Sequence, residues 1–150
     1  MRSREEVIRG FVEEWLSKAE ADLTAAEILV AAETHDYFTC AFHCQQAAEK
    51  FLKAYLVRHQ VEFRKTHDLD QLLGLASQVE PTLQEELASC GWLSPFGVEF
   101  RYPGDQPEVD WTTAQNALTE AKQVRQVVME HLASYLGGRG NRDADSVSGQ

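Results

Sequence analysis

The chain has 150 residues, 43% of them hydrophobic and 25% charged, and carries a formal net charge of −10. That length suits one domain with its own hydrophobic core, and the composition is that of a globular protein. The charge sets the chain against bare duplex DNA, whose phosphate backbone it repels at long range. The absence of any eighteen-residue apolar run sets it against a membrane span.

In chain order, Ser3 followed by Glu6 reads as a capping box that opens a first helix. Ile8, Phe11, Val12, Trp15, Leu16, Ala19, Leu23, Ala26 and Val30 recur at steps of three and four. They predict one wide apolar stripe that ends near Glu33. Thr34, His35 and Asp36 read as a turn capping a second helix that runs to about Gln60. A third helix is expected from Thr66–Asp68, carrying Leu69, Leu72, Leu73 and Ala76. Pro81 suits the first turn of a short fourth helix with Leu83 and Leu87 inward. Residues 91–109 hold Pro95, Gly97, Pro103, Gly104 and Pro107 and read as irregular, with Val98 to Phe100 the one strand candidate. Asp110 is expected to cap a last long helix with the stripe Trp111, Ala114, Leu118, Ala121, Val128, Leu132 and Leu136. Gly137 and Gly138 are expected to end it. The polar segment 139–150 then reads as a disordered tail behind a domain of residues 1–138. Helices joined by short connections predict an all-α, up-and-down bundle of four main helices with an additional short one.

Met1 to Glu6 has no apolar run behind its basic residues, so no secretory signal is expected. Cys40, Cys44 and Cys90 are odd in number and show no paired spacing. They fit a reducing compartment, and a cytoplasmic location is the expectation. Cys40 and Cys44 stand one helical turn apart with no second ligand pair, so they read as small buried residues and not as metal ligands.

The informative positions are polar residues on inward faces. On the second helix, Phe38, Ala41, Phe42, Ala48, Leu52, Tyr55 and Leu56 define the inner side. Gln45 and Glu49 fall in its middle and Lys53 at its edge, lined up at i, i+4 and i+8. On the first helix Asp22 falls among Phe11, Trp15 and Leu29; on the last, Arg125 falls between Leu118 and Leu132. A charge in a core is costly unless paired. Asp22, Glu49, Lys53 and Arg125 are therefore expected to form one mutually neutralising network, either structural or lining a ligand pocket. Cys44, Ala47, Phe51 and Ala54 form a second apolar flank on the same helix. That pattern places the helix centrally or at a subunit interface, and a homodimer is expected.

The segment Phe42-His43-Cys44-Gln45-Gln46-Ala47-Ala48-Glu49-Lys50-Phe51-Leu52-Lys53-Ala54-Tyr55-Leu56 resembles the central helix motif of the HEPN family. Three further pieces agree in order: Ala21-Asp22-Leu23, Thr66-His67-Asp68-Leu69 and Arg101-Tyr102-Pro103. The resemblance spans roughly the whole domain. It implies a four-helix bundle with a short extra helix, often dimeric, and a link to nucleotides, RNA or a partner nucleotidyltransferase. Many members of that family are metal-independent ribonucleases with an arginine followed, after four to six residues, by a histidine. Beyond Arg101 this sequence has Gln106, Pro107 and Glu108 where that histidine would fall. Only Arg125 and His131 have the spacing, and on one continuous helix a rotation of about 240° (about 120° the shorter way) separates them.

No P-loop, GxSxG elbow or Glu-x-x-His pair of a di-iron bundle occurs. Asp68 and Asp70 have the spacing of nucleotidyltransferase acids but no Gly-Ser turn before them. His67, flanked by Thr66 and Asp68, reads as a capping or packing residue, or as the edge of a pocket with Arg101. The sequence thus predicts a binding module without catalytic residues, metal or cofactor. A nucleotide would be held by Gln45, Glu49, Lys53, His67, Arg101 and Tyr102, beside a small nucleotidyltransferase in a toxin–antitoxin-like pair. A ribonuclease with a non-standard Arg/His site and a plain dimerisation module are the alternatives.

Overall fold

The computed structural model describes residues 1–148 apart from 33, 99–103 and 106, with backbone alone over 138–148. Among the described residues the fold is all helix. Its elements are α1 (Arg4–Ala31), α2 (Tyr37–Arg58), α3 (Leu69–Val79), α4 (Thr82–Glu86), a 3-10 helix (Cys90–Gly97) and α5 (Trp111–Ser148).

The starts of the helices follow their caps. Ser3 Oγ accepts from the Glu6 amide at 3.2 Å, Asp36 Oδ1 from Thr39 at 3.2 Å, and Asp68 Oδ1 from Asp70 at 3.0 Å. Each satisfies an amide that the first turn would otherwise leave without a partner. His35 takes a left-handed φ of 59° in the turn between α1 and α2, which lets the chain reverse in few residues. Asp110 Oδ1 accepts from the Thr113 amide at 2.7 Å. Hydrogen bonds from Thr113, side chain first and then backbone, hold the Asp110 carboxyl below its ordinary value. A depressed carboxyl contributes stability that is complete above the ordinary value of 3.8 and is lost as pH falls through the folded value. Asp110→Ala is therefore expected to lower the melting temperature slightly at neutral pH and to leave it unchanged in acid, as thermal melts at both would show.

α2 lies at the centre and packs against α1, α3, α5 and the 3-10 helix. Phe51, Leu52, Lys53, Ala54, Tyr55 and Leu56 are all buried in succession. A helix covered on every side must be apolar almost all round, which accounts for the flank of Cys44, Ala47, Phe51 and Ala54. That flank is covered within the chain, so it does not by itself call for a second copy. Cys40 and Cys44 are buried and unpaired. Contact with the Cys40 sulfur, and then burial, push the Cys44 thiol far up, away from the thiolate that a metal needs.

α1 buries Val12, Leu16, Ala19, Leu23 and Ala26. This stripe is narrower than the sequence predicts, since Phe11 is exposed and Trp15 only partly covered. On α5, Ala114, Leu118, Ala121, Val128 and Leu132 are buried as expected and Trp111 is exposed. The α5 backbone stays helical past Gly137 and Gly138 to Ser148. Glycine in a helix costs about 1 kcal/mol and does not remove a hydrogen bond as proline does, so the pair is no obligatory stop. Val98 has extended backbone; the rest of the strand candidate, residues 99–100, lies outside the described residues.

Candidate functional site

Gln45, Glu49 and Lys53 rise along one side of α2 and are 0%, 3% and 7% exposed. Spacing of four places each one turn above the last, so their heads converge. Glu49 Oε2 accepts from Lys53 Nζ at 3.0 Å. Glu49 Oε1 accepts from Gln45 Nε2 at 3.3 Å and lies 2.7 Å from His67 Nδ1. Both carboxylate oxygens are thus engaged, and the buried charge is neutralised by a buried ammonium. Lys53 Nζ also lies 5.5 Å from the Trp15 ring centroid and 5.6 Å from that of Phe63, a cation–π setting that further offsets its desolvation.

His67 reaches the cluster from the turn before α3. Thr66 Oγ1 accepts from the Asp68 amide, and Ser94 Oγ from the Leu69 amide. These bonds fix the turn, and Gln45 Nε2 donates to the His67 carbonyl at 3.0 Å. Asp68, not His67, caps α3, so the capping alternative for His67 fails. The Asp68–Asp70 pair serves that helix start, and no metal-holding group of acids, histidines and cysteines occurs among the described residues. The His67 side chain is 51% exposed while its carboxylate partner is 4% exposed. An ionised carboxylate only accepts, so this bond requires the tautomer with its proton on Nδ1. Nε2 has no hydrogen-bond partner among the described residues. It is a donor in the charged ring and an acceptor in the neutral one.

The expected four-charge network does not assemble. Asp22 pairs with His43 Nδ1 at 2.8 Å and with Lys50 Nζ, between α1 and α2. Arg125 is exposed and binds Glu20 Oε1 at 2.5 Å on the surface. The reason lies in where the buried stripes centre. At 100° per residue, the buried face of α1 is about 80° from Asp22 and that of α5 about 60° from Arg125. Exposed Phe11 had drawn the α1 stripe toward Asp22, and a long Arg125 side chain at the edge of a stripe reaches water. His131 contacts Glu86 on α4 while Arg125 contacts Glu20 on α1, so these two residues of ribonuclease spacing face different neighbours.

Of the six expected ligand residues, the structure gathers Gln45, Glu49, Lys53 and His67. Arg101 and Tyr102 lie outside the described residues. Gln45 and Lys53 are buried and bonded within the cluster, which leaves His67 as the member with open surface. Sequence reasoning missed His43 and Lys50 as the partners of Asp22. Their spacing of seven on α2, which sets them on one face, was the available signal. A bond from Gln46 Nε2 to Gln45 Oε1 at 2.7 Å ties a neighbouring residue to the Glu49 cluster.

A family model described as HEPN domain matches residues 12–132, a span that takes in the whole Glu49 cluster. Comparison with curated proteins gives no match, and comparison with solved structures gives none.

Proposed function

The chain belongs to the HEPN domain family, and from that premise we propose that it is a non-catalytic binding module that takes the phosphate of a nucleotide at His67. In this reading it works beside a separate small nucleotidyltransferase, as one half of a toxin–antitoxin-like pair. The observation that carries the proposal is the half-exposed His67 ring, held at Nδ1 by the buried Glu49 carboxylate. Such a hold fixes ring orientation and tautomer, and the charged ring then offers Nε2–H to a phosphate oxygen. Arg101 and Tyr102, from the sequence motif, complete the proposed contact. Gln45 and Lys53 support the site from within, and any nucleotidyl-transfer chemistry belongs to the partner chain.

One observation favours a second reading, the ribonuclease. A carboxylate–imidazole pair with the ring half exposed is also the arrangement of a general base, whose Nε2 in the neutral ring could accept a 2′-hydroxyl proton. Against it stands the sequence, which has Gln106, Pro107 and Glu108 where a histidine would follow Arg101. Equilibrium dialysis of a nucleoside triphosphate, run beside an RNA-cleavage assay, separates the two. The binding module is expected to retain nucleotide, to lose at least about tenfold in affinity on His67→Ala, and to leave RNA intact. Metal-independent cleavage abolished by His67→Ala would establish the enzyme instead.

A further inference from the structure

A second cationic site stands at the end of the bundle where α2 finishes. Tyr135 on α5 has the Arg9 guanidinium carbon 4.3 Å from its ring centroid and that of Arg58 at 4.1 Å. Arg9 comes from α1 and Arg58 from the last turn of α2. Both like charges rest against one ring in a chain whose net charge is −10. Among the described residues neither guanidinium forms an ion pair. Arg9 Nη2 donates to the Tyr135 carbonyl at 3.0 Å, whereas its Nη1 is buried and has no hydrogen-bond partner among the described residues. A buried donor left without an acceptor is costly and rare. The positive field is felt nearby, since burial and then Arg58 hold the His59 imidazole below its ordinary value.

Two forks without an ion-pair partner among the described residues, each set against one aromatic ring, have the donor geometry that matches tetrahedral oxyanions. We propose that Arg9 and Arg58, ordered by Tyr135, form a binding site for a phosphate group, separate from His67. The bound group is a phosphate monoester, as on a free nucleotide, or a diester, as in a nucleic-acid strand; both offer the same non-bridging oxygens.

The test is a titration of the full chain with inorganic phosphate, reading the side-chain Nε–Hε resonances of Arg9 and Arg58 by NMR. Both are expected to shift saturably, and Arg58→Lys, which keeps the charge and loses the fork, is expected to weaken binding about tenfold. Adenosine monophosphate and a dinucleotide diester serve as the two arms, and tighter binding of one identifies the source. Arg58→Gln is expected to abolish the Arg9 shift without altering the response of the His67 ring to nucleotide, so the two sites are read independently. Arginine resonances that stay fixed, or that drift linearly as they do with equal chloride, would overturn the proposal. So would full phosphate affinity in a folded Arg58→Gln protein.

Discussion

Replacing Glu49 with alanine is expected to destabilise the protein by about 3–5 kcal/mol, because Lys53 is then left charged and buried without its partner. Glu49 and Lys53 are 3% and 7% exposed, so water cannot take over the lost contact. The same change removes the acceptor for His67 Nδ1 and one acceptor for Gln45. Glu49→Gln is expected to cost less, since the amide oxygen still accepts a hydrogen bond. Joint replacement by Glu49→Leu and Lys53→Met removes both charges and is expected to recover most of the loss. His67→Ala, at a half-exposed ring, is expected to cost far less than Glu49→Ala. Urea unfolding of the parent and these four variants, with a double-mutant cycle, measures these differences. A Glu49→Ala effect under about 0.5 kcal/mol, the size of a solvated surface change, would mean that the cluster is not a buried framework.

The second large effect is expected at Gly97. A Cβ there would lie 2.4 Å from Gln45 Cδ and Oε1 and 2.7 Å from Nε2. An exposed amide would swing away at little cost. Gln45 cannot, because it is fully buried and its Nε2 donates to both the His67 carbonyl and Glu49. Gly97→Ala is therefore expected to cost about 1–3 kcal/mol, as overpacking does, and to weaken nucleotide binding by displacing His67. Gly10→Ala is the control, since a Cβ at Gly10 meets nothing within 4 Å and alanine favours the helix. Unfolding curves of both variants, with nucleotide dialysis, check this. A Gly97→Ala protein as stable as the parent would show that the Gln45 amide is free to move.

The helices were legible because local chemistry writes them. Ser3, Asp36, Asp68 and Asp110 stand at four starts, and the spacing of apolar residues gives the faces. The inward position of Gln45, Glu49 and Lys53 was also legible, because they interrupt the otherwise apolar inner side of α2. Asp22 and Arg125 misled for the opposite reason. Both sit at stripe edges, where an error of 60–80° in the assumed centre decides between core and water. The pairing of His67 with Glu49 could not be read from sequence, since it depends on how the turn before α3 folds back over α2. Gly97 carried no signal at all: its closeness to Gln45 is a tertiary contact between residues 52 positions apart.

The central claim is that a buried Glu49 framework presents His67 to a phosphate. It is tested most directly by following the 15N resonances of the His67 imidazole while a nucleotide is added to the parent protein and to Glu49→Gln. In the parent, His67 Nε2 is expected to shift saturably and Nδ1 to keep the signature of a nitrogen bonded to a carboxylate. In Glu49→Gln the Nδ1 signature is expected to be lost and the Nε2 response to weaken. A His67 ring that stays silent while nucleotide binds elsewhere, or that responds identically without the Glu49 carboxylate, would contradict the account.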